Sequence, residues 1–267
     1  MNVRIGVRPC LVFTAAACIF LDFAKAGAAA EIPLAERRSG YELMGRETRA
    51  MQDDDATNPG MLWVLDGAAL WNGKAGASGL ACAGCHGDAR ASMKGVAARY
   101  PAFDAARGGP VNLEQRINAC RNGRQKVAPL AYESRDLLAL TAFIARQSRG
   151  LPIGVAIDER TKPFLDAGRD TFNRRQGQLN LACTQCHDDH WGKKLAGNTI
   201  PQAHPTGYPL YRLEWQSLGS LGRRLRNCLT GMRAEPYAYG SPEFVDLELY
   251  LMWRARGMKV ETPGVRP

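Results

Sequence analysis

The feature that most constrains the fold is an internal duplication built around two short cysteine motifs. Residues 82–86 (CAGCH) and 183–187 (CTQCH) share the pattern C-x-x-C-H. Each motif is followed by a second stretch, at 113–123 and at 221–231, with the pattern L-x-x-R-[IL]-x-x-C-x-x-G. Because both patterns recur in the same order, the sequence predicts two homologous units rather than one continuous domain.

Matching helical segments flank the motif in each copy. A Leu-Asp pair at 65–66 and at 165–166 begins a segment with apolar residues at helical steps, and residues 140–144 and 247–251 repeat another such pattern downstream. Strand-like alternation is scarce, and the connecting segments are rich in Pro and Gly. Each unit is therefore predicted to be a small helical domain of about a hundred residues.

The repeat sets the predicted domain bounds. We place the first domain at 61–150 and the second at 151–267, after an N-terminal extension at 27–60. Residues 36–52 of the extension are compatible with a helix. We expect the extension to wrap around the domains or to contact a partner.

The C-x-x-C-H pattern is the attachment motif of c-type haem. Its two thiols can add to the two vinyl groups on one porphyrin edge, and the next residue places an imidazole beneath the iron. Zinc would need ligands from across the domains, and a redox disulfide would leave the His unexplained. We therefore predict two covalent haem c groups per chain. Their predicted attachment cysteines are Cys82, Cys85, Cys183 and Cys186, and their proximal iron ligands are His86 and His187.

The predicted fold class is mainly α, with two tandem class I cytochrome c-like domains related by duplication. In that fold the first and last helices cross behind the haem. An aromatic residue lies on the first predicted helix of each domain, at Trp71 and at Phe172. We expect Trp71 to pack against Phe143, and Phe172 to pack against Tyr250.

Each haem iron needs a second axial ligand or an open site. The candidates by residue type are Met93 and Cys120 in the first domain, and His190, His204, Cys228 and Met232 in the second. Only Cys120 and Cys228 occupy equivalent positions in both repeats, which favours these two cysteines as axial ligands. A disulfide between them, or two buried free thiols, is the alternative. Homologous positions in tandem domains usually lie far apart, which argues against the disulfide.

An arginine precedes each of these cysteines by one helical turn. Arg224 stands before Cys228, and Arg116 stands before Cys120. A guanidinium stabilises a thiolate and can bind an oxyanion through two hydrogen bonds. Pairing with a haem propionate is the other use of such an arginine, and at Arg224 both uses are open. The formal net charge of +9 agrees with anionic partners in general, without selecting one.

The N-terminus has the pattern of a cleaved signal peptide at 1–26. Arg4 and Arg8 precede an apolar run at 11–20, and small residues follow at 24–30. The run is shorter than the about 20 residues that span a bilayer. We expect export to the periplasm with no membrane span after cleavage, and an uncleaved anchor is the alternative. A nucleic-acid partner is a poor expectation for an exported haem protein.

The residues resemble a known family, the A subunit of the SoxAX cytochromes, the L-cysteine S-thiosulfotransferase of bacterial sulfur oxidation. The resemblance covers essentially the whole mature chain. It rests on both C-x-x-C-H motifs, both later cysteines and the run from Arg224 through RAEPY at 233–237. The retained first motif makes the chain similar to the dihaem type.

The resemblance implies a periplasmic protein paired with the monohaem subunit SoxX. It implies oxidative coupling of thiosulfate to a cysteine of the carrier protein SoxYZ, giving cysteine S-thiosulfonate, with two electrons passed through haem to an acceptor cytochrome c. By position, it makes Cys228 the active residue (a persulfide or thiolate nucleophile), Arg224 the substrate-binding residue, and Cys120 a ligand of the electron-transfer haem.

Two other functions compete with this interpretation. One is a dihaem electron-transfer cytochrome without bond-forming chemistry, and the other is a thiosulfate dehydrogenase that makes tetrathionate. The residues alone leave the choice between Cys120 and Cys228 open, because both cysteines have basic neighbours.

Overall fold

A computed structural model describes residues 1–2 and 31–267 of the chain. Apart from its first two residues, the predicted signal peptide at 1–26 lies outside the described residues. Within the described part, no helix combines the length and the apolar character that crossing a membrane requires.

The described residues are mainly helical, as predicted. Their α-helices are α1 (Arg46–Asp53), α2 (Met61–Asn72), α3 (Cys82–His86), α4 (Ala89–Ser92), α5 (Leu113–Cys120), α6 (Arg135–Arg146), α7 (Lys162–Asn173), α8 (Cys183–His187), α9 (Leu221–Gly231) and α10 (Pro242–Arg254). Short 3-10 turns lie at Leu34–Glu36 and Ala97–Arg99, and a π-helical turn at Arg121–Gln125 follows α5.

Short strands, which the sequence did not indicate, join the helices. They are β1 (Ala102–Asp104), β2 (Gly109–Val111), β3 (Lys194–Leu195), β4 (Asn198–Thr199), β5 (Leu210–Arg212), β6 (Ser217–Gly219) and β7 (Gly264–Arg266). β1 and β2 form an antiparallel hairpin just before α5, and β5 and β6 form the same hairpin just before α9. The duplication therefore extends to these hairpins.

The first and last helices of each domain cross at a glycine. α2 packs against α6, and α7 packs against α10. A Cβ atom on Gly67 would lie 2.1 Å from the carbonyl oxygen of Ala139, and one on Gly168 would lie 2.0 Å from that of Asp246. Only glycine permits such close backbone contact. Because each domain has a glycine at this point, the two helix pairs cross in the same way.

The glycines also correct the sequence alignment of the first helices. The Leu-Asp pairs are not structurally equivalent, because Leu65 is 63% exposed whereas Leu165 is 4% exposed. The equivalent residues are Gly67 and Gly168, each four positions before the helix aromatic. The two first helices are therefore offset by one residue from the alignment that the Leu-Asp pairs suggest.

The predicted aromatic contacts at the crossings are confirmed. The ring centroids of Trp71 and Phe143 are 5.8 Å apart, and those of Phe172 and Tyr250 are 5.4 Å apart. Both rings on the first helices are almost fully buried. These contacts hold the two helices of each pair together behind the C-x-x-C-H segment.

A shared apolar core joins the two domains. Trp63 and Leu138 of the first domain pack with Tyr211 and Leu218 of the β5–β6 hairpin. The rings of Trp63 and Tyr211 meet edge to face, with centroids 5.9 Å apart. Burial of these large side chains holds the domains in one arrangement.

The N-terminal extension contacts both domains. Its Asp55 pairs with Arg146 and Arg149 of the first domain over 2.7 and 2.8 Å. The backbone N–H of Arg38 donates to Gln202 Oε1 over 2.6 Å, and the Asn58 side-chain amide donates to the carbonyl of Pro263 over 2.9 Å. The helix considered for 36–52 is shorter, because only α1 is α-helical. Both backbone groups, at Glu36 and Arg38, and side chains, such as those of Gln52 and Asp55, tie the extension to the domains.

Candidate functional sites

The first C-x-x-C-H motif faces a cavity that also contains its predicted axial ligand. This cavity holds about 930 Å³ of empty space. It is lined by all four residues predicted for the first haem: Cys82, Cys85, His86 and Cys120. The rest of the wall is mostly apolar, with Leu113, Ile117 and Leu140 among its side chains. Thiols, an imidazole and an apolar wall around one cavity fit a covalently attached haem.

Aromatic residues position the two motif histidines in the same way. The centroid of Trp71 lies 5.7 Å from that of His86, and Phe172 lies 6.4 Å from His187. The indole N–H of Trp71 also donates to the carbonyl of Gly87 over 3.2 Å. Both histidines are therefore backed by the aromatic residue at the helix crossing.

The second motif histidine is oriented for binding through one ring nitrogen. His187 Nδ1 lies 2.6 Å from the carbonyl oxygen of Pro201. A carbonyl can only accept, so Nδ1 carries the proton and Nε2 remains available as a metal ligand. Burial lowers the pKa of His187 to about 4, which favours the neutral imidazole that binds iron.

The structure brings Cys228 close to the second motif. Burial, followed by the proximity of Cys228, raises the pKa of Cys183 to about 12. The same two causes raise the pKa of Cys186. Within the described residues no disulfide joins cysteines 82, 85, 120, 183, 186 and 228, which contradicts the alternative of a Cys120–Cys228 disulfide.

The other candidate ligands differ in their placement. Met93 lines the first cavity together with Cys120, so both side chains can reach that space. His190 is exposed, and its Nδ1 contacts the carbonyl of Gln185. His204 is buried, with Nδ1 2.9 Å from the carbonyl oxygen of Arg38. His190 therefore lies away from any enclosed site, whereas His204 belongs to the wall of the cavity described next.

A second cavity, of about 980 Å³, lies beside the second motif. Arg224 lines it together with Pro201, whose carbonyl contacts His187. Tyr208 and Arg212 line it as well. Arg224 and Cys228 both lie close enough to Tyr208 to affect its pKa, which burial raises. The predicted pairing of an arginine with Cys228 therefore has a cavity beside it.

The other arginines of α9 point elsewhere. The Arg223 guanidinium lies over the Trp215 ring, 4.2 Å from its centroid, and Arg226 lies 4.9 Å from the centroid of Tyr239. The basic cluster expected from the sequence is thus reduced to Arg224 on this helix. Arg212, which comes from β5, is the basic residue that sequence reasoning missed.

Comparison with known proteins identifies the family. The model of the SoxA/TsdA cytochrome c domain matches residues 66–153 and again residues 167–260. The L-cysteine S-thiosulfotransferase subunit SoxA of Pseudaminobacter salicylatoxidans is 39% identical over 235 residues, which cover 88% of this chain and 82% of that protein. The chain belongs to the SoxA family.

Further members of the family agree with this assignment. The SoxA subunit of Rhodovulum sulfidophilum is also 39% identical, over 86% of this chain and 80% of its own length. The crystal structure of SoxXA from P. pantotrophus matches with a TM-score of 0.83 and 32% identity, covering 86% of this chain and 87% of that one. The two matched segments and this structural neighbour bear out tandem cytochrome c domains, which imply haem c.

Proposed function

We propose that the chain catalyses the oxidative transfer of thiosulfate onto a cysteine of the carrier protein SoxYZ, as an L-cysteine S-thiosulfotransferase. The observation that carries this proposal is the position of Arg224, one helical turn before Cys228, in the wall of the cavity beside the second C-x-x-C-H motif. Membership of the SoxA family supplies the substrate class. A cationic donor next to a sulfur ligand suits a small sulfur oxyanion.

Two covalent haem c groups are part of the proposal. Cys82 and Cys85 would hold the first, between His86 and Cys120. Cys183 and Cys186 would hold the second, between His187 and Cys228. When bound, the haems supply one-electron acceptors that pass charge to an acceptor cytochrome c.

The protein residues would do the sulfur chemistry. Arg224 binds the sulfonate oxygens and orients the outer sulfur of thiosulfate toward Cys228. Formation of the S–S bond between thiosulfate and the Cys228 thiolate releases two electrons and leaves Cys228 as an S-thiosulfonate. The carrier thiolate then attacks the outer sulfur, takes the thiosulfonate group and returns Cys228 as a thiolate. In total, two anionic sulfurs form one bond, and two electrons leave.

The proposal includes a partner and a compartment. The structural neighbour from P. pantotrophus is a SoxXA complex, which supports SoxX as the partner of this chain. The N-terminal pattern of basic, apolar and small residues supports export to the periplasm.

Separate substitutions of the two predicted ligand cysteines test the transfer reaction. In Cys228→Ala, we expect thiosulfate-dependent cytochrome c reduction with SoxYZ to fall by about a thousandfold or more, because the bond-forming sulfur is gone. Cys120→Ala is the matched control and should retain the thiosulfonate product, with an altered rate of electron transfer. Pyridine haemochrome spectra would verify two haems per chain in each variant.

The product distinguishes the competing functions. Mass spectrometry of SoxYZ should show a thiosulfonate on its cysteine. Tetrathionate formed without the carrier would point to a thiosulfate dehydrogenase instead. Undiminished product in Cys228→Ala would contradict the assigned chemistry of this cysteine.

A further inference from the structure

The two domains differ in charge at one equivalent position near the ligand cysteine. Asp104 is the last residue of β1, and Arg212 is the last residue of β5. Each stands twelve residues before the arginine that precedes the cysteine, Arg116 or Arg224. The duplicated scaffold therefore carries a carboxylate in one domain where it carries a guanidinium in the other.

The arginine of the first domain has an internal counterion. Arg116 Nη2 donates to Asp104 Oδ2 over 2.6 Å. Burial by itself lowers the pKa of Arg116, but the larger combined effect of Tyr100 and Asp104 raises it above its ordinary value. Arg116 is thus neutralised within its own domain and has little need of an external anion.

The equivalent pair in the second domain consists of two cations. Arg212 and Arg224 line the same cavity, and Tyr208 takes the place that Tyr100 has in the first domain. No carboxylate side chain lines this cavity among the described residues. Lys194 and Arg266 also line it, but Arg266 Nη2 is paired with Glu261 Oε2 over 2.6 Å. His204, whose pKa burial lowers to about 4, is a neutral part of the wall.

Arg212 is buried and incompletely bonded. Its side chain is 8% exposed, and its Nε atom has no hydrogen-bond partner within the described residues. Nη2 lies 3.1 Å from Glu214 Oε2, but the Glu214 side chain is 60% exposed and screened by solvent. Burial, together with the nearby Arg224, lowers the pKa of Arg212. A buried cation near a second cation is unfavourable until an anion binds.

We propose that Arg212 and Arg224 together form the oxyanion site of the second domain, with Arg212 as a second substrate-binding residue for the sulfonate group of thiosulfate. This inference rests on the proposed function and extends it. Two guanidinium groups match the several oxygens of a sulfonate better than one. The exchange of Asp104 for Arg212 leaves Arg224 near a second cation, whereas Arg116 has a carboxylate partner.

A haem propionate is the other oxyanion that could bind at Arg212, and the two sources have different consequences. A residue that binds thiosulfate affects the KM and the equilibrium affinity for thiosulfate. A residue that binds only a propionate affects the reduction potential of the second haem and leaves the affinity for thiosulfate unchanged. Both quantities are measurable on the same haem-loaded protein.

The test uses Arg212→Gln and Arg212→Asp in the complete SoxAX complex. We expect the KM for thiosulfate to rise by about ten- to a hundredfold in Arg212→Gln, and more in Arg212→Asp, which copies the first domain. Calorimetric titration with thiosulfate should show the same loss of affinity. Arg223→Gln is the matched control, because Arg223 packs over Trp215 as Arg212 does but is not among the residues that line the cavity, and it should keep the wild-type KM.

Further measurements separate the possible failures. Haem content and visible spectra report whether each variant is folded, and Arg212→Lys provides a milder change if Arg212→Asp does not assemble. An unchanged KM with a shifted potential of the second haem would assign Arg212 to a propionate and overturn the inference. That result would leave the proposed function intact, whereas wild-type protein that forms no thiosulfonate on SoxYZ would overturn the function itself.

Discussion

At the residue scale, Gly168 fixes how closely the helices of the second domain approach. Because the contact is with the backbone carbonyl of Asp246, which cannot rotate away, a methyl group at this position forces the helices apart. We expect Gly168→Ala to lower the free energy of unfolding by about 1–3 kcal/mol, the usual cost of overpacking, or more. Denaturant titration measures this loss.

A glycine without neighbours is the control for this prediction. A Cβ on Gly154 would meet no atom within 4 Å, so Gly154→Ala should change stability little. Gly67→Ala should repeat the loss in the first domain, where the equivalent contact is with Ala139. Equal stabilities for Gly168→Ala and Gly154→Ala would show that the crossing tolerates a side chain.

The site residues that the sequence could single out are those whose spacing is local. Cys183 and His187 are assigned because the attachment chemistry requires a fixed separation within one helical turn. Arg224 is assigned because it stands one turn before Cys228. Arg212 could not be assigned in this way, because its place beside Arg224 depends on how β5 and α9 pack. Alignment of the two repeats would have indicated Arg212, because it stands where the first repeat has Asp104.

At the scale of elements, a buried ion pair ties α10 to the end of α8 only in the second domain. Arg254 Nη2 donates to Asp188 Oδ1 over 2.6 Å, and the guanidinium lies 4.7 Å from the centroid of Phe172. In the first domain, Gln147 stands four residues after Phe143, as Arg254 stands four residues after Tyr250. Gly87 follows the first motif where Asp188 follows the second. The pair therefore supports the segment that follows His187 without a counterpart at His86.

Removal of one partner tests this element contact. Arg254→Met leaves the largely buried Asp188 carboxylate unpaired, so we expect a loss of about 3 kcal/mol in the free energy of unfolding. The double variant Arg254→Met with Asp188→Asn should recover part of that loss, because no charge is then left alone. Additive losses in this cycle would mean that the two side chains are not coupled.

The elements that sequence analysis missed are the short ones. α2, α6, α7 and α10 are each at least twelve residues long. Apolar residues can recur at helical steps over that length, so these segments were predictable as helices. β1 and β5 have three residues each, too few for alternation to be recognised. The helix predicted at 36–52 was too long at its N-terminal end. The charged residues before α1 are compatible with a helix, and no apolar pattern marks where the helix begins.

At the scale of the whole molecule, the arrangement of the two domains could not be predicted from the repeat. The repeat describes each domain, whereas their contact depends on large side chains such as Trp63 and Tyr211 that have no shared pattern. This contact also buries two carboxyl groups, Glu114 of the first domain and Glu248 of the second, around one cavity. Asn112 donates to Glu248 across the domains over 3.0 Å.

These two carboxyl groups should make stability fall as the pH rises. Burial, followed by the proximity of Glu248 and Glu133, raises the pKa of Glu114 to about 8, and burial raises the pKa of Glu248 to about 7. The folded protein thus keeps protons that the unfolded chain loses near its ordinary value of 4.5. Their stabilising contribution is complete below that value and is lost as the pH rises through 7 and 8.

We therefore expect each carboxyl group to contribute a decline of about 1.4 kcal/mol per pH unit to the free energy of unfolding between about pH 5 and pH 7. Below about pH 6.5 the buried His187 and His204, whose pKa values are lowered to about 4, contribute the opposite slope, so the share of Glu248 is read from the difference between variant and wild type. Glu248→Gln should remove the share of Glu248 from this slope, because its amide stays neutral and can still accept from Asn112. Glu159→Gln, at an exposed position away from this cavity, should keep the wild-type slope. Denaturant titrations at pH 5, 6, 7 and 8 give these slopes, and equal slopes for both variants would mean that Glu248 is already ionised at pH 5.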